Sequence, residues 1–457
     1  MIHQSRIPIH HCVDSLPGRL KLASLTLALI SVFSLRPPDL FAQGSLTPPG
    51  APAPTMKSLD QIDSHLSLAG EKRIDVLSLA GDSGNLHVIS NSGSYYLSGN
   101  LTASGAKNGI RIAATNVTLD LNGFTVDGTG CSGTVDGISA SGDNATIYNG
   151  TVQKWTGNGI NCLGSTYVLR RLNCQNNGQY GILGNLDTPV NNGYLVSDCH
   201  FFKNGSWGIL IYFGSARIEG CVAEQNGSAG GAGGIYYSGL GGSVINCVAT
   251  SNFNTNNAGA AISASVVTGC DAEANQGDGI SGGTITSCTA ISNGGKGISG
   301  GNATVVNCNA SGNGGGGIVV GTSLSDQSGG AVLNCSASVN SVAGIIAGTN
   351  CVVANCTAFK NSGDGIRFGG KCLIKDNNAS SNTGNGFRVT GSGASAANRI
   401  DGNTAVSNGV NGIFWSNDLV VRNSCFLNGV NYSPAVGSGN TAPVQAASSA
   451  TNPWANF

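Results

Sequence analysis

Arg367 and Arg388 lie 21 residues apart, with Asp364 three residues before the first. Two guanidiniums with one carboxylate is a set that can hold an acidic sugar, or supply an arginine as base in lyase chemistry. Asp271 and Glu273 are two residues apart. On an extended strand that puts both carboxylates on one face at roughly 7 Å, within the ~6.5–9.5 Å separation used by inverting glycosidases. A third group is aromatic: Tyr180, Trp207, Tyr212 and Tyr236, with Asn158 and Asn161 nearby. Flat rings stack on the C–H faces of sugars, while asparagine and tyrosine bond hydroxyls. Each set also has a plainer reading: rings over a long turn, a solvated charged patch, a solvated edge. His65, His87 and His200 are not spaced for a metal, and no nucleophile elbow occurs.

What must position these residues is a repeat. "VVNCNASGNGGGGI" ends at Ile318, "ITSCTAISNGGKGI" at Ile298 and "VVANCTAFKNSGDGI" at Ile366. Taking the apolar residue after the turn glycine as a marker gives an array from Ile160 to Ile413 with a mean spacing of 23 residues, and Ile110 and Ile138 extend it. About ten residues before the marker stands a cysteine: Cys199, Cys221, Cys247, Cys270, Cys288, Cys308, Cys335 and Cys356, continued by Asn377, Asn403 and Asn423. Two residues on comes alanine, a spacing that suits one face of a strand. Five residues on comes asparagine, from Asn177 to Asn428. The dense glycines argue against helix, since each costs about 1 kcal/mol there relative to alanine.

Short strands with one period near 23 describe a solenoid whose coils stack ~4.8 Å apart, placing like residue over like. Asparagines in one column then form a ladder of amides bonded to one another and to the turn backbone. Arg367 and Arg388 fall in one outward slot of adjacent coils, where like charges need a counter-charge. Tyr180, Trp207 and Tyr236 occupy outward slots of the same sheet.

Only 10% of residues are charged, formal net charge is −1, and 71 are glycine. Without a basic cluster, nucleic acid is not a partner. The apolar run Leu22–Leu35 follows Arg19 and Lys21, too short to span a bilayer but the right length for an export signal. The expected organisation is a signal peptide at 1–42, a Pro-rich linker at 43–56, an N-terminal cap and first coils at 57–107, the β-helix at 108–431 and a C-terminal tail or cap at 432–457. The mature protein is then secreted or periplasmic, with no membrane span.

The "NGI" and "GDGI" turns followed by "VVNC" and "ASGN" strands resemble the right-handed parallel β-helix proteins of the pectate-lyase-like superfamily. The resemblance implies an all-β solenoid of roughly 12–15 coils. It also implies an acidic calcium cluster, or paired aspartates with Gly-His-Gly, in members that are enzymes; neither occurs here. No cofactor is therefore expected, and calcium has no motif to support it. The leading functional expectation is binding of a polysaccharide or cell-surface glycan on an exposed sheet face. A structural or adhesive surface rod, and a polysaccharide lyase or glycoside hydrolase, remain open alternatives.

Fifteen cysteines in an exported chain invite a disulfide reading. Stacked neighbours have parallel Cα–Cβ bonds about one strand spacing apart, whereas a disulfide needs Cβ atoms ~3.8 Å apart. The column therefore reads as buried thiols. Cys351 and Cys372, outside it on adjacent coils, are the best disulfide pair.

Overall fold

A computed structural model describes residues 73–184, 193–228, 233–239, 241–253, 259–321, 329–390, 397–434 and 441–457. The expected leader, the linker, the start of the cap and His65 fall outside these residues. The chain divides after Ser64 into two units, and the second holds the solenoid.

Each coil starts where glycine closes a turn and a β-branched residue follows. Ile298–Gly300, Ile318–Val320 and Ile345–Ala347 stack in parallel with Ile298, Ile318 and Ile345 in one line. These strands form the first sheet. A second strand, such as Thr304–Val306, buries its middle valine, and a third, such as Asn309–Ser311, buries its alanine. The 43 strands described wind through about fifteen turns, every named pairing being parallel. Pairing is already present at Ile74–Asp75, which lies beside Gly93–Tyr96. The narrow interior accepts Ile, Val, Ala and Cys and few larger side chains, giving one continuous core.

Corners explain the two conspicuous columns. Between second and third strands the chain bends at one residue in the left-handed region: Ser287 (φ 55), Asn307 (φ 55), Asn334 (φ 55) and Asn355 (φ 56). After the third strand it bends again, at Ser292 (φ 54), Val339 (φ 58), Lys360 (φ 53) and Ser381 (φ 55). Non-glycine residues in this region carry a cost of roughly 1–2 kcal/mol, and a bend also turns backbone N–H groups out of the sheet ladder. The next residue supplies the missing acceptor. The amide of Asn293 donates to Asn313 Oδ1 at 3.0 Å, as does its side-chain Nδ2 at 3.0 Å, and Asn293 Nδ2 also reaches Ala272 O at 3.0 Å. The pattern runs from Asn177 to Asn428. At its head Trp155 stands in the asparagine position, its amide donating to Asn177 Oδ1 at 3.2 Å and its indole Nε1 to Val126 O at 3.0 Å.

Cysteine does the same at the first corner. The amide of Cys288 donates to Cys308 Sγ at 3.4 Å, and the Cys308 thiol lies 3.2 Å from Val306 O as a donor. After Cys356 the acceptor becomes Asn377 Oδ1, at 2.9 Å, followed by Asn403 and Asn423. The cysteine is thus at a corner, not on the strand with its alanine as the spacing of two suggests; both side chains still point inward. All cysteines in the described residues are free thiols. The disulfide expected between Cys351 and Cys372 is not formed: the residues after them, Val352 and Leu373, are register partners on adjacent coils, and the Cys372 thiol donates to Gly348 O at 3.2 Å. Burial pushes the Cys162 and Cys174 thiols up, and that of Cys425 up to about 12, so these groups are protonated and inert. Cys308→Ser keeps donor and acceptor in place with a slightly shorter reach. It should cost no more than about 1.5 kcal/mol in denaturant unfolding, whereas Cys308→Ala, which strands the Cys288 amide, should cost about 1–3 kcal/mol more. Equal costs for the two variants would show that the thiol only fills space.

Residues 441–457 return over the last coil. Thr441 bridges Val420, and the Phe457 amide donates to Asn423 O at 2.7 Å. Asn456 extends the asparagine column, with Oδ1 accepting from the Asn423 amide at 3.0 Å.

Candidate functional site

The outward positions of the first sheet form one register column: Asn161, Leu183, Leu210, Tyr236, Ser263, Ser281, Ser299, Val319, Ile346, Arg367, Arg388, Phe414. Both clusters anticipated from sequence lie on this face, far apart along it.

At the first cluster the structure differs from the expectation of an exposed aromatic platform. Trp207 is only 7% exposed and Leu210 2%, and with Leu183 they make a small hydrophobic cluster outside the main core, edged by Tyr180, Tyr212 and Tyr236. The Trp207 and Tyr236 rings are 5.0 Å apart and tilted. Outward leucines were the legible signal: two successive "IL" markers put apolar side chains where a solvated sheet face carries polar ones. The asparagines are also engaged. Asn158 Nδ2 donates to Asp136 Oδ1 at 2.9 Å and Asn161 Nδ2 to Asp136 Oδ2 at 2.8 Å. Burial pushes the Tyr212 phenol up, reinforced by the nearby Tyr180 and Tyr236 phenols.

The second cluster is an open groove of about 450 Å³. Arg367 and Arg388 are direct register partners on Ile366–Phe368 and Phe387–Val389. Asp364, 2% exposed, lies beneath them at the turn. Its Oδ2 accepts from Arg367 Nε at 3.0 Å, and Arg388 NH1 is 3.5 Å away. Its Oδ1 accepts from the Asn385 amide at 3.0 Å and from Asn385 Nδ2 at 2.7 Å, while Asn385 Oδ1 accepts from Asn411 Nδ2 at 2.7 Å. Gly384 allows this approach, because a Cβ there would sit 2.7 Å from Asp364 Oδ1. Burial alone would raise the Asp364 pKa. The Asn385 hydrogen bonds and the Arg367 guanidinium outweigh it and hold the carboxyl below its usual range. Val410 and Phe414 make the apolar wall.

With two guanidiniums over one carboxylate, the groove keeps one unit of positive charge. A second site in the same chain shows a saturated carboxylate. At Asp401, Arg399 donates through Nε (3.0 Å) and NH2 (2.8 Å), and Arg422 through Nε (2.7 Å) and NH2 (2.7 Å), with Trp454 against the Arg422 guanidinium at 5.4 Å. Of the two arginines at Asp364, only Arg367 makes a short bond, through Nε at 3.0 Å. The Arg388 side chain is 46% exposed and lines the groove.

Asp271 and Glu273 do share one exposed strand face, but their register neighbours are Val248, Thr289, Thr250 and Ile291, none ionisable. His200 lines a second groove, of about 400 Å³, with Arg171, Asn173 and Asp198. Its Nδ1 is 3.2 Å from Asn173 Oδ1, and its Nε2 is 3.9 Å from Glu224 Oε2. That cluster went unseen in the sequence because its members are brought together only by register, one coil apart. Among the described residues no three His, Cys, Asp or Glu side chains are grouped to hold a metal, and no helix is long and apolar enough to cross a membrane.

The sequence matches the family described as right handed beta helix region over residues 191–325 and 299–426. The chain belongs to this right-handed β-helix family. Among solved structures it is similar to the A-module of an Azotobacter vinelandii mannuronan C-5 epimerase, at 14% identity over 73% of this chain and 94% of that one, with a TM-score of 0.40. It is also similar to a periplasmic alginate epimerase, at 12% identity over 74% and 76% with a TM-score of 0.27, and to a pectate lyase, at 16% identity over 80% and 82% with a TM-score of 0.20. No curated protein matches it by sequence.

Proposed function

We propose that this β-helix is an exported protein that binds polysaccharide on the outer face of its first sheet, and that the bound sugar is acidic. The observation that carries the reading is the Arg367–Arg388 pair held over a buried, hydrogen-bonded Asp364 with one charge left uncompensated. A sugar carboxylate fits the free guanidinium donors, which recognise planar anions in pairs. Phe414 offers a face for the ring C–H groups. Binding is preferred over cleavage because the one carboxylate among the described lining residues is already hydrogen-bonded at both oxygens, which leaves Arg367 and Arg388 as the groups a lyase could use as base.

The test is titration of a soluble polyuronate and of a neutral glycan of the same length. Wild type is expected to prefer the polyuronate, with affinity falling as salt rises. Arg367→Ala with Arg388→Ala should lose about 10–100-fold, the worth of one or two charge-assisted hydrogen bonds. Equal binding of the neutral glycan, or an unaltered double variant, would remove the groove from the function. Product release from the polyuronate would replace binding with lyase chemistry.

A further inference from the structure

At the corner between second and third strands each coil bends through one residue in the left-handed region, where glycine and asparagine fit best. Gly220 (φ 61), Asn246 (φ 50) and Gly269 (φ 63) fill it in successive coils. Arg171 (φ 52) and Arg422 (φ 59) break that pattern. Arg422 is bound to Asp401. Arg171 has no carboxylate partner among the described residues, and neither has Arg170 beside it. Every other arginine described has a carboxylate oxygen within 3.8 Å. Arg170 and Arg171 are exposed and share one ring instead, 4.9 and 5.8 Å from the centroid of Tyr148, the register partner of Arg170 one coil earlier. Two like charges over one ring repel, and an anion relieves them.

Arg171 leads into the groove of about 400 Å³ on this corner, which Asn173, Asp198 and His200 also line. His200 Nδ1 lies 3.2 Å from Asn173 Oδ1, while Asn173 Nδ2 has no partner among the described residues. Asp198 stands one coil beyond Arg171, exposed, with no cation at ion-pair distance among the described residues. We propose that this corner is a second site for an acidic sugar, Arg170 and Arg171 taking its carboxylate while Asn173 Nδ2 and Asp198 take its hydroxyls. Asp198 selects the class: a carboxylate accepts from sugar hydroxyls but repels a compact oxyanion such as phosphate or sulfate. Ile160, which opens the coil of Arg171, is nine register steps from Ile366, or about 43 Å along the axis at ~4.8 Å per coil. The first groove opens on the first sheet, whereas this corner joins the other two, so the sites face different ways. Resting on the binding function proposed above, the chain then ties two acidic polymers together rather than lying along one. The corner is the weaker site, because its arginines rest on a ring and not on a buried carboxylate.

Calorimetric titration with an oligouronate too short to span both sites is the test. Wild type is expected to take up one tight and one weaker equivalent. Arg170→Gln with Arg171→Asn should weaken the second equivalent about tenfold or more with the unfolding midpoint unchanged, since asparagine tolerates the left-handed corner. Should that variant fold poorly, Asn173→Asp decides. It preserves shape but sets a negative acceptor against the sugar, and should weaken the same equivalent about tenfold. With a long polyuronate, wild type should turn turbid at intermediate ratios of protein to polymer, and variants lacking either site should not. A single equivalent that only Arg367→Ala with Arg388→Ala removes, a weaker equivalent indifferent to both corner variants, or one that inorganic phosphate displaces as well as the sugar does, would overturn the proposal. The two readings fail separately. A missing tight equivalent with the weaker one intact would remove the first groove and leave the corner standing.

Discussion

Replacing Asn313 with alanine is expected to destabilise the solenoid by about 2–5 kcal/mol, far more than the loss of a small polar side chain ordinarily costs. Asn313 is 0% exposed. Its Oδ1 accepts from both the amide and the Nδ2 of Asn293, each at 3.0 Å, and its Nδ2 donates to Ala290 O and to Asn340 Oδ1, each at 3.0 Å. Alanine leaves the Asn293 amide buried without an acceptor, at about 1–3 kcal/mol, and also removes the side-chain hydrogen bonds to Asn293 Nδ2, Ala290 O and Asn340 Oδ1. Neighbouring coils depend on one another, so the defect is not confined to its own turn. The same change at Asn428, where the ladder reaches water, should cost under about 1.5 kcal/mol. Equilibrium denaturation of both variants separates the cases. A cost below about 1 kcal/mol at Asn313, or equal costs at the two sites, would mean that the amide column is ornament on a fold held by its apolar core.

Why so much of this was readable is a matter of translation along one axis. A stacked coil repeats its environment every turn, so Asn293, Asn313 and Asn340 face one problem and share one solution. Periodicity alone therefore revealed the strands, the inward alanine and the amide ladder. Single-residue bends were not legible: Ser287, Asn307, Val339 and Lys360 all adopt positive φ, yet their types vary, because the corner is held by the next residue along. For that reason the spacing of two suggests a strand for a cysteine that stands at a corner. Sequence showed that Cys308 points inward but not that its sulfur stands in for an amide oxygen.

At the candidate site, the slot shared by Arg367 and Arg388 and the partnership with Asp364 followed from register. What the spacing could not supply was depth. Trp207 and Tyr236 occupy outward slots as read, but Leu183 and Leu210 between them give the rings an apolar bed and remove Trp207 from solvent. Likewise Asp364 and Asp401 are each an aspartate near two arginines in the sequence, and only the folded geometry separates an open pair from a closed one.

That closed pair gives the second large effect. Arg399 and Arg422 bring four short hydrogen bonds to Asp401, itself 1% exposed, and Arg422 carries the tail by its contact with Trp454 and by its amide, which donates to Trp454 O at 3.2 Å. Asp401→Ala is expected to cost about 2–3 kcal/mol at neutral pH, the lower end for a broken buried ion pair because both guanidiniums still reach water. Burial opposes the Asp401 charge, but the two arginines overcome it and hold the carboxyl below its usual range. A depressed folded pKa contributes stability that is complete above the unfolded value near ~4 and is lost as pH falls through the folded value. Wild type should therefore converge on Asp401→Ala as pH drops below about 4, having exceeded it by the full margin at pH 7. Unfolding midpoints at pH 7, 5 and 3 measure the margin directly. Should it stay constant across that range, the carboxylate charge is not what fastens Arg422 and, through it, the tail that covers the second and third strands of the last coil.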